Sequence, residues 1–223
     1  MVKHRHIYLL AVILATCVFV FGLLLGNYVA SVKLKEFKET EERYLVELLA
    51  FEVAHRIFSK NICEFNVEDF FERKVELGRM LTNLEKRFGK EKPEIIAKKE
   101  IYELVEINLW NYLKEYKEKC GGNYSIVLFF YTNKKHDPKG SVDGCEDQGK
   151  ILDQVVYEHN VLHKGMPVYV FSFDVNSKNS ATRSIIKAYN ITSVPALVIN
   201  DIVYGYSLKE KINSILESGT STK

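Results

Sequence analysis

The sequence predicts a mixed α+β/α/β chain in three parts: a transmembrane helix, a three-helix stalk and a domain of alternating strands and helices. Three observations carry that expectation. Residues Ile7 to Val32 form a run of 26 without a charged side chain. Residues 33–122 repeat their apolar positions at helical spacing, and after Gly122 short β-rich runs alternate with amphipathic stretches. The parts are 1–32 (cytoplasmic head and anchor), 33–122 (stalk) and 123–223 (C-terminal domain).

Composition sets the outer bounds. At 223 residues, 47% hydrophobic and 27% charged, the chain is neither a disordered polymer nor a disulfide-dense miniprotein. Lys3 and Arg5 account for the net charge of +2, and the rest of the chain is neutral. A nucleic-acid binder needs a basic surface to neutralise phosphates, so no nucleic-acid partner is expected.

The uncharged run is long enough to cross the hydrocarbon core, which takes about 20 residues. Tyr8 and Tyr28 flank it at the level where amphipathic rings favour the headgroups. A cleaved signal peptide is the competing reading, but its apolar stretch is usually about 7–15 residues. A retained single-pass anchor is therefore expected, with the membrane as partner. Lys3 and Arg5 on one side face Lys33, Lys35 and Lys38 on the other, so charge alone does not orient it. A short head before a first span stays in the cytoplasm, which places the C-terminal domain outside it.

The first stalk helix carries Phe37, Tyr44, Leu48, Phe51 and Phe58, with Leu45 and Leu49 beside them. Asn66 is a good N-cap for the second, with Asp69 three positions on, followed by Phe70, Leu77, Leu81, Leu84 and Phe88. Gly89 ends it and Pro93 opens the third, which runs through Ile101, Leu104, Val105, Leu109, Tyr112 and Tyr116 to Gly121-Gly122. Short connections make successive helices antiparallel. Cys63 and Cys120 then share the membrane-distal end, where they form either a bracing disulfide or two unrelated buried thiols.

In the C-terminal part, Ser125–Tyr131 is a continuous apolar run of the kind covered on both faces. A polar loop follows, then a helix over about Cys145–His159, a strand Val168–Asp174 and a helix over about Ser180–Tyr189. Strands Ala196–Ile199 and Ile202–Tyr206 and a helix from Leu208 complete the order β-α-β-α-β-β-α. Two parallel strands joined by a helix and then a hairpin make a mixed sheet.

This order and two stretches resemble the thioredoxin family over about residues 123–219. The first stretch is Tyr189–Ile199, YNITSVPALVI. By resemblance Pro195 is the family's cis-proline, and Val194 before it offers backbone hydrogen bonds to an extended peptide. The second is Cys145 with Ile151, Leu152 and Asp153 beyond it, similar to the family's Cys-x-x-Cys helix. A gapless match puts Cys145 at the second cysteine and Val142 where the attacking one belongs. Phe129 replaces the family's buried acid, and the loop Asn133–Gly144 is longer than the family's approach to the helix. In a second register Cys145 is the first cysteine, its thiolate favoured by the helix dipole but opposed by Asp143, Glu146 and Asp147, with Gln148 in the resolving place. Both registers stand at this point.

The resemblance implies a membrane-anchored, redox-related protein whose degenerate single-cysteine site, Cys145, lacks autonomous dithiol turnover, because exchange needs an attacking thiolate and a resolving thiol. Its partner is then a protein or peptide that brings the other thiol. The alternative is a non-catalytic module that captures an extended polypeptide on the surface of Val194 and Pro195. A third option is a structural stalk with a passive cap. No cofactor and no metal site are expected. His159 and His163 are four apart but lack a third ligand and read as exposed polar residues. Asp137, Asp143, Glu146 and Asp147 lack calcium-loop spacing and read as solvated charge. Asn123 and Asn190 fit the glycosylation acceptor pattern, which matters only for an exported domain. Cys17 reads as an apolar filler within the span.

Overall fold

The computed structural model describes residues 2–57, 61–64 and 68–218, with only the backbone of residues 2–6, 33, 34, 36, 37, 40, 41, 44, 55, 68 and 69. It divides into two compact units, Met1–Arg43 and Tyr44–Lys223. The expected cap at Asn66 and the apolar position Phe58 lie outside the described residues.

The first unit is helical over its described residues, 2–43. Helix α1 (Val2–Ile57) contains Ile7–Val32, 26 residues of mean hydropathy 2.8 with none of that stretch buried, long and apolar enough to cross a membrane. The Thr16 hydroxyl donates to the Val12 carbonyl at 2.9 Å and the Ser31 hydroxyl to that of Tyr28 at 2.8 Å. Such back-bonding satisfies hydroxyls where no water is at hand. No stop separates the span from the expected first stalk helix, because Asn27 to Ile57 contains neither Gly nor Pro.

In the second unit, α2 (Glu68–Phe88) ends at Gly89, whose φ of 94° suits a residue without a Cβ. Helix α3 (Pro93–Cys120) has its proline in the first turn and ends on Gly121, φ 77°, whose N–H donates to the Lys117 carbonyl. Cys63 and Cys120 form a disulfide across a sequence separation of 57, their Cα atoms 5.7 Å apart. Beside it the Tyr112 hydroxyl donates to the Ile62 carbonyl at 3.2 Å, and Phe51 packs edge-on against both Phe70 and Tyr112.

Strands β1 (Ser125–Tyr131), β2 (Val168–Asp174), β3 (Ala196–Ile199) and β4 (Ile202–Tyr204) form one mixed sheet in the order β2-β1-β3-β4. Strand β2 runs parallel to β1, whereas β3 is antiparallel to β1 and to β4; Phe129 stands opposite Ser172 on one side and Leu197 on the other. Helices α4 (Val142–Val156), α5 (Ser180–Ala188) and α6 (Lys209–Ser218) complete the unit. Val127, Phe130, Phe171, Phe173, Leu197 and Ile199 are fully buried, with Val155 of α4 and Ile212 of α6 closing the core.

The edge strand β2 is not left open. The Lys74 ammonium donates to the Val170 carbonyl at 2.6 Å, the Ser172 N–H to Glu106 at 3.1 Å and the Asp174 N–H to Glu103 at 3.1 Å. Side chains of α2 and α3 thus complete the ladder on the side of β2 where no strand lies among the described residues. Their apolar spacing alone gives these helices one another as packing partners. In the structure they also grip the sheet, so Lys98, Lys99, Glu103 and Glu106 are buried.

Candidate functional site

Ligands of open α/β sheets bind beyond the carboxyl ends of the parallel strands. Here that place holds Thr132 at the end of β1, the loop 133–141, the start of α4 and the Val194–Pro195 peptide, which is cis. Ser141 caps α4, its hydroxyl accepting the Gly144 N–H at 3.1 Å. This cap was readable in the sequence, and it starts the helix three residues before Cys145, at Val142.

Cys145 therefore lies one turn into α4 rather than at its tip, and its side chain is turned inward and buried. Its sulfur accepts the Thr132 N–H at 3.5 Å. Burial pushes the thiol above its ordinary pKa, the hydrogen bond from Thr132 opposes this, and the charges of Asp174 and Asp137 add to it. The re-phased register, which needs Cys145 at the helix N-terminus, is not the geometry found, because α4 starts at Val142. Gln148 is fully buried and serves the backbone: its amide donates to the Ser207 carbonyl at 3.1 Å and accepts the Ser207 N–H at 2.7 Å. Val142, half-buried, stands in the first helical turn. Gly144 faces Pro195 closely enough that a Cβ there would stand 3.7 Å from Cδ of the ring. Phe129 is buried, and a Cβ on Gly149 of α4 would stand 3.8 Å from its ring.

The long loop folds back on this corner. Asp137-Pro138-Lys139-Gly140 is a β-turn closed by the Gly140 N–H on the Asp137 carbonyl at 3.2 Å, with Pro and Gly at the positions such a turn favours. The Asp137 carboxylate accepts from the Thr132 hydroxyl (2.7 Å), the Asn176 amide (2.7 Å) and the Lys139 N–H (2.9 Å). Burial acts to raise this carboxyl, but the hydrogen bonds from Asn176, Lys139 and Thr132 together outweigh it and hold it below the ordinary range. Asp137 is thus the hub of the loop rather than solvated charge. Glu146 pairs with Lys90 and Asp147 with Lys150, each at 2.8 Å.

By resemblance, Val194 offers its backbone to an extended peptide. In the structure its N–H donates to the Lys139 carbonyl at 2.9 Å, and Gly140 bridges Val194 in the parallel sense. The chain's own turn occupies that edge. Sequence reasoning missed this because a pairing across 55 residues leaves no periodic mark.

A second polar cluster lies between α3 and β2. Lys99 pairs with Asp174 at 2.8 Å, and Lys74 with Glu106 at 3.0 Å. Glu103 accepts from the Ser177 and Thr182 hydroxyls and from the Asp174 N–H. Burial raises its carboxyl to about 7 against these hydrogen bonds. A cleft of about 1250 Å³ between α2 and the β2 edge is lined in part by Lys74, Glu85, Lys99 and Glu106, where Lys74 pairs with Glu106 and Lys99 with both Glu85 and Asp174. Its arrangement serves packing.

His159 is buried rather than exposed, Nδ1 facing the Met166 carbonyl at 2.9 Å and Nε2 facing Asn213 at 3.4 Å. His163 is exposed in the following loop, and among the described residues no three His, Cys, Asp or Glu side chains are placed to hold a metal. Asn123 and Asn190 are both exposed, as is Cys17. Comparison with protein-family models, curated proteins and solved structures finds no match for this chain.

Proposed function

We propose that the chain is a membrane-anchored, thioredoxin-like protein whose C-terminal part lies outside the cytoplasm and works as a non-catalytic module for an extended polypeptide. The observation that carries the reading is the placement of Cys145: buried, one turn into α4, with Val142 in the turn before it. A thiol in that position resolves a mixed disulfide but does not start one, and Val142 has no sulfur to attack with. The strand order β2-β1-β3-β4, the Val194–Pro195 segment and the helix start at Val142 support the thioredoxin-like reading. The Cys63–Cys120 disulfide supports the export, because such bonds persist in oxidising compartments.

The reading is tested by restoring what is missing. In Val142→Cys, the introduced thiolate attacks a small chromogenic disulfide and releases one thiolate. Cys145 then attacks the mixed disulfide, releasing the second thiolate and closing an intramolecular disulfide that added dithiothreitol reduces. The full chain in detergent is expected to turn over faster than Val142→Cys with Cys145→Ser, whose mixed disulfide only dithiothreitol can resolve. A silent Val142→Cys variant, with β1 and α4 intact, would overturn the thioredoxin-like assignment. Turnover by the unaltered chain would favour the single-thiol redox reading instead.

A further inference from the structure

The backbone of Val194 pairs on one side with the chain's own turn. Val194 itself is held from behind, with Ile191, Val194 and Ala196 all buried in the unit. The turn on its other side is held by polar contacts: Asp137 to Thr132 and Asn176, and the Lys139 carbonyl to the Val194 N–H. Lys134, Lys135, His136 and Pro138 are exposed. Contact between turn and edge is close at one point, since a Cβ on Gly140 would overlap the Val194 carbonyl. The turn therefore mimics, within the chain, one rung of β-strand addition.

We propose that the Val194 edge is an interaction surface for an extended polypeptide segment carrying glycine beside the accepting carbonyl, and that the Asp137–Gly140 turn covers it until such a partner displaces the turn. This rests on the reading of the domain as a binding module and adds to it a closed state. The partner replaces one N–H···O=C bond with another, so exchange costs chiefly the Asp137 contacts. The turn also keeps an unpaired edge from recruiting strands indiscriminately.

Two variants release the turn by different routes: Gly140→Ala places a methyl against the Val194 carbonyl, and Asp137→Ala removes the hub without touching the edge. The full chain in lipid nanodiscs is compared with both by hydrogen exchange and by selection from a phage-displayed random dodecapeptide library. Fragments containing Val194 are expected to exchange at least tenfold faster in both variants, while those from β1 stay protected. Peptides are expected to enrich on the variants at least tenfold over the unaltered chain, with glycine prominent among them. Equal enrichment on all three overturns the covering turn and leaves the binding module standing. No enrichment on variants with an exposed Val194 amide overturns the surface and the binding-module reading together. An unprotected Val194 amide in the unaltered chain overturns the closed state alone.

Discussion

Glu103, on α3, accepts the backbone N–H of Asp174, the last residue of β2, at 3.1 Å. A helix side chain thereby does for the sheet edge what a neighbouring strand does elsewhere. The same carboxylate takes the hydroxyls of Ser177 and Thr182, so one buried acid ties α3 to the end of β2 and the start of α5.

That acid makes stability depend on pH in a definite direction. Burial raises the Glu103 carboxyl from 4.5 to about 7. Between those values the folded chain binds a proton that the unfolded chain does not, so this group makes the fold more stable as pH falls from about 7 to 4.5. The full difference is on the order of 3 kcal/mol. Urea unfolding of the unaltered chain and Glu103→Gln across that window is expected to show the stability difference shifting toward the unaltered chain on acidification. A difference that stays constant with pH contradicts the assignment.

In the Lys74–Glu106 pair Glu106 is buried and Lys74 half-buried, and both also serve β2, Lys74 at Val170 and Glu106 at Ser172. Removing one partner leaves a buried charge, and Lys74→Met is expected to cost about 3–5 kcal/mol. Adding Glu106→Gln removes that charge, so the double variant should be at least about 1 kcal/mol more stable than the sum of the single losses. Strict additivity in a double-mutant cycle would show that the two side chains do not act together.

The Cys63–Cys120 disulfide closes a long loop with α2 and most of α3 inside it. Chain-entropy arguments give a 57-residue closure on the order of 4 kcal/mol. Cys63→Ser with Cys120→Ser is expected to lower unfolding stability by an amount of that order under non-reducing conditions. An unchanged denaturant midpoint would mean the bond does not form.

Cys145 should behave as an interior thiol. Burial both shields it and disfavours its thiolate. Iodoacetamide is expected to modify it at least a hundredfold more slowly in the folded chain than in urea at the same pH. Equal rates would place the sulfur at the surface.

Much of the second unit was legible in local pattern. The apolar run Ser125–Tyr131, the strand Val168–Asp174 and the hairpin after Ala196 announce themselves by composition, and Gly89, Pro93 and Gly121 punctuate the helices where the structure ends and begins them. The start of α4 was missed by three residues although Ser141 and Gly144 form an ordinary cap. What local pattern does not carry is partnership at long range. Lys99, Glu103 and Glu106 look like a solvated helix face until β2 comes to meet them. His159 reads as an exposed polar residue until Met166 and Asn213 close over it. The corner at Cys145 follows the same rule: its cysteine and proline were singled out, whereas its occupant, Lys139 and Gly140, was not.

The central claim, that this domain does not cycle disulfides unaided, meets its most direct test in the unaltered full chain mixed with a chromogenic disulfide and dithiothreitol. The predicted result is a rate equal to that of dithiothreitol alone, the same for Cys145→Ala. Sustained multiple turnover that Cys145→Ala abolishes would contradict it.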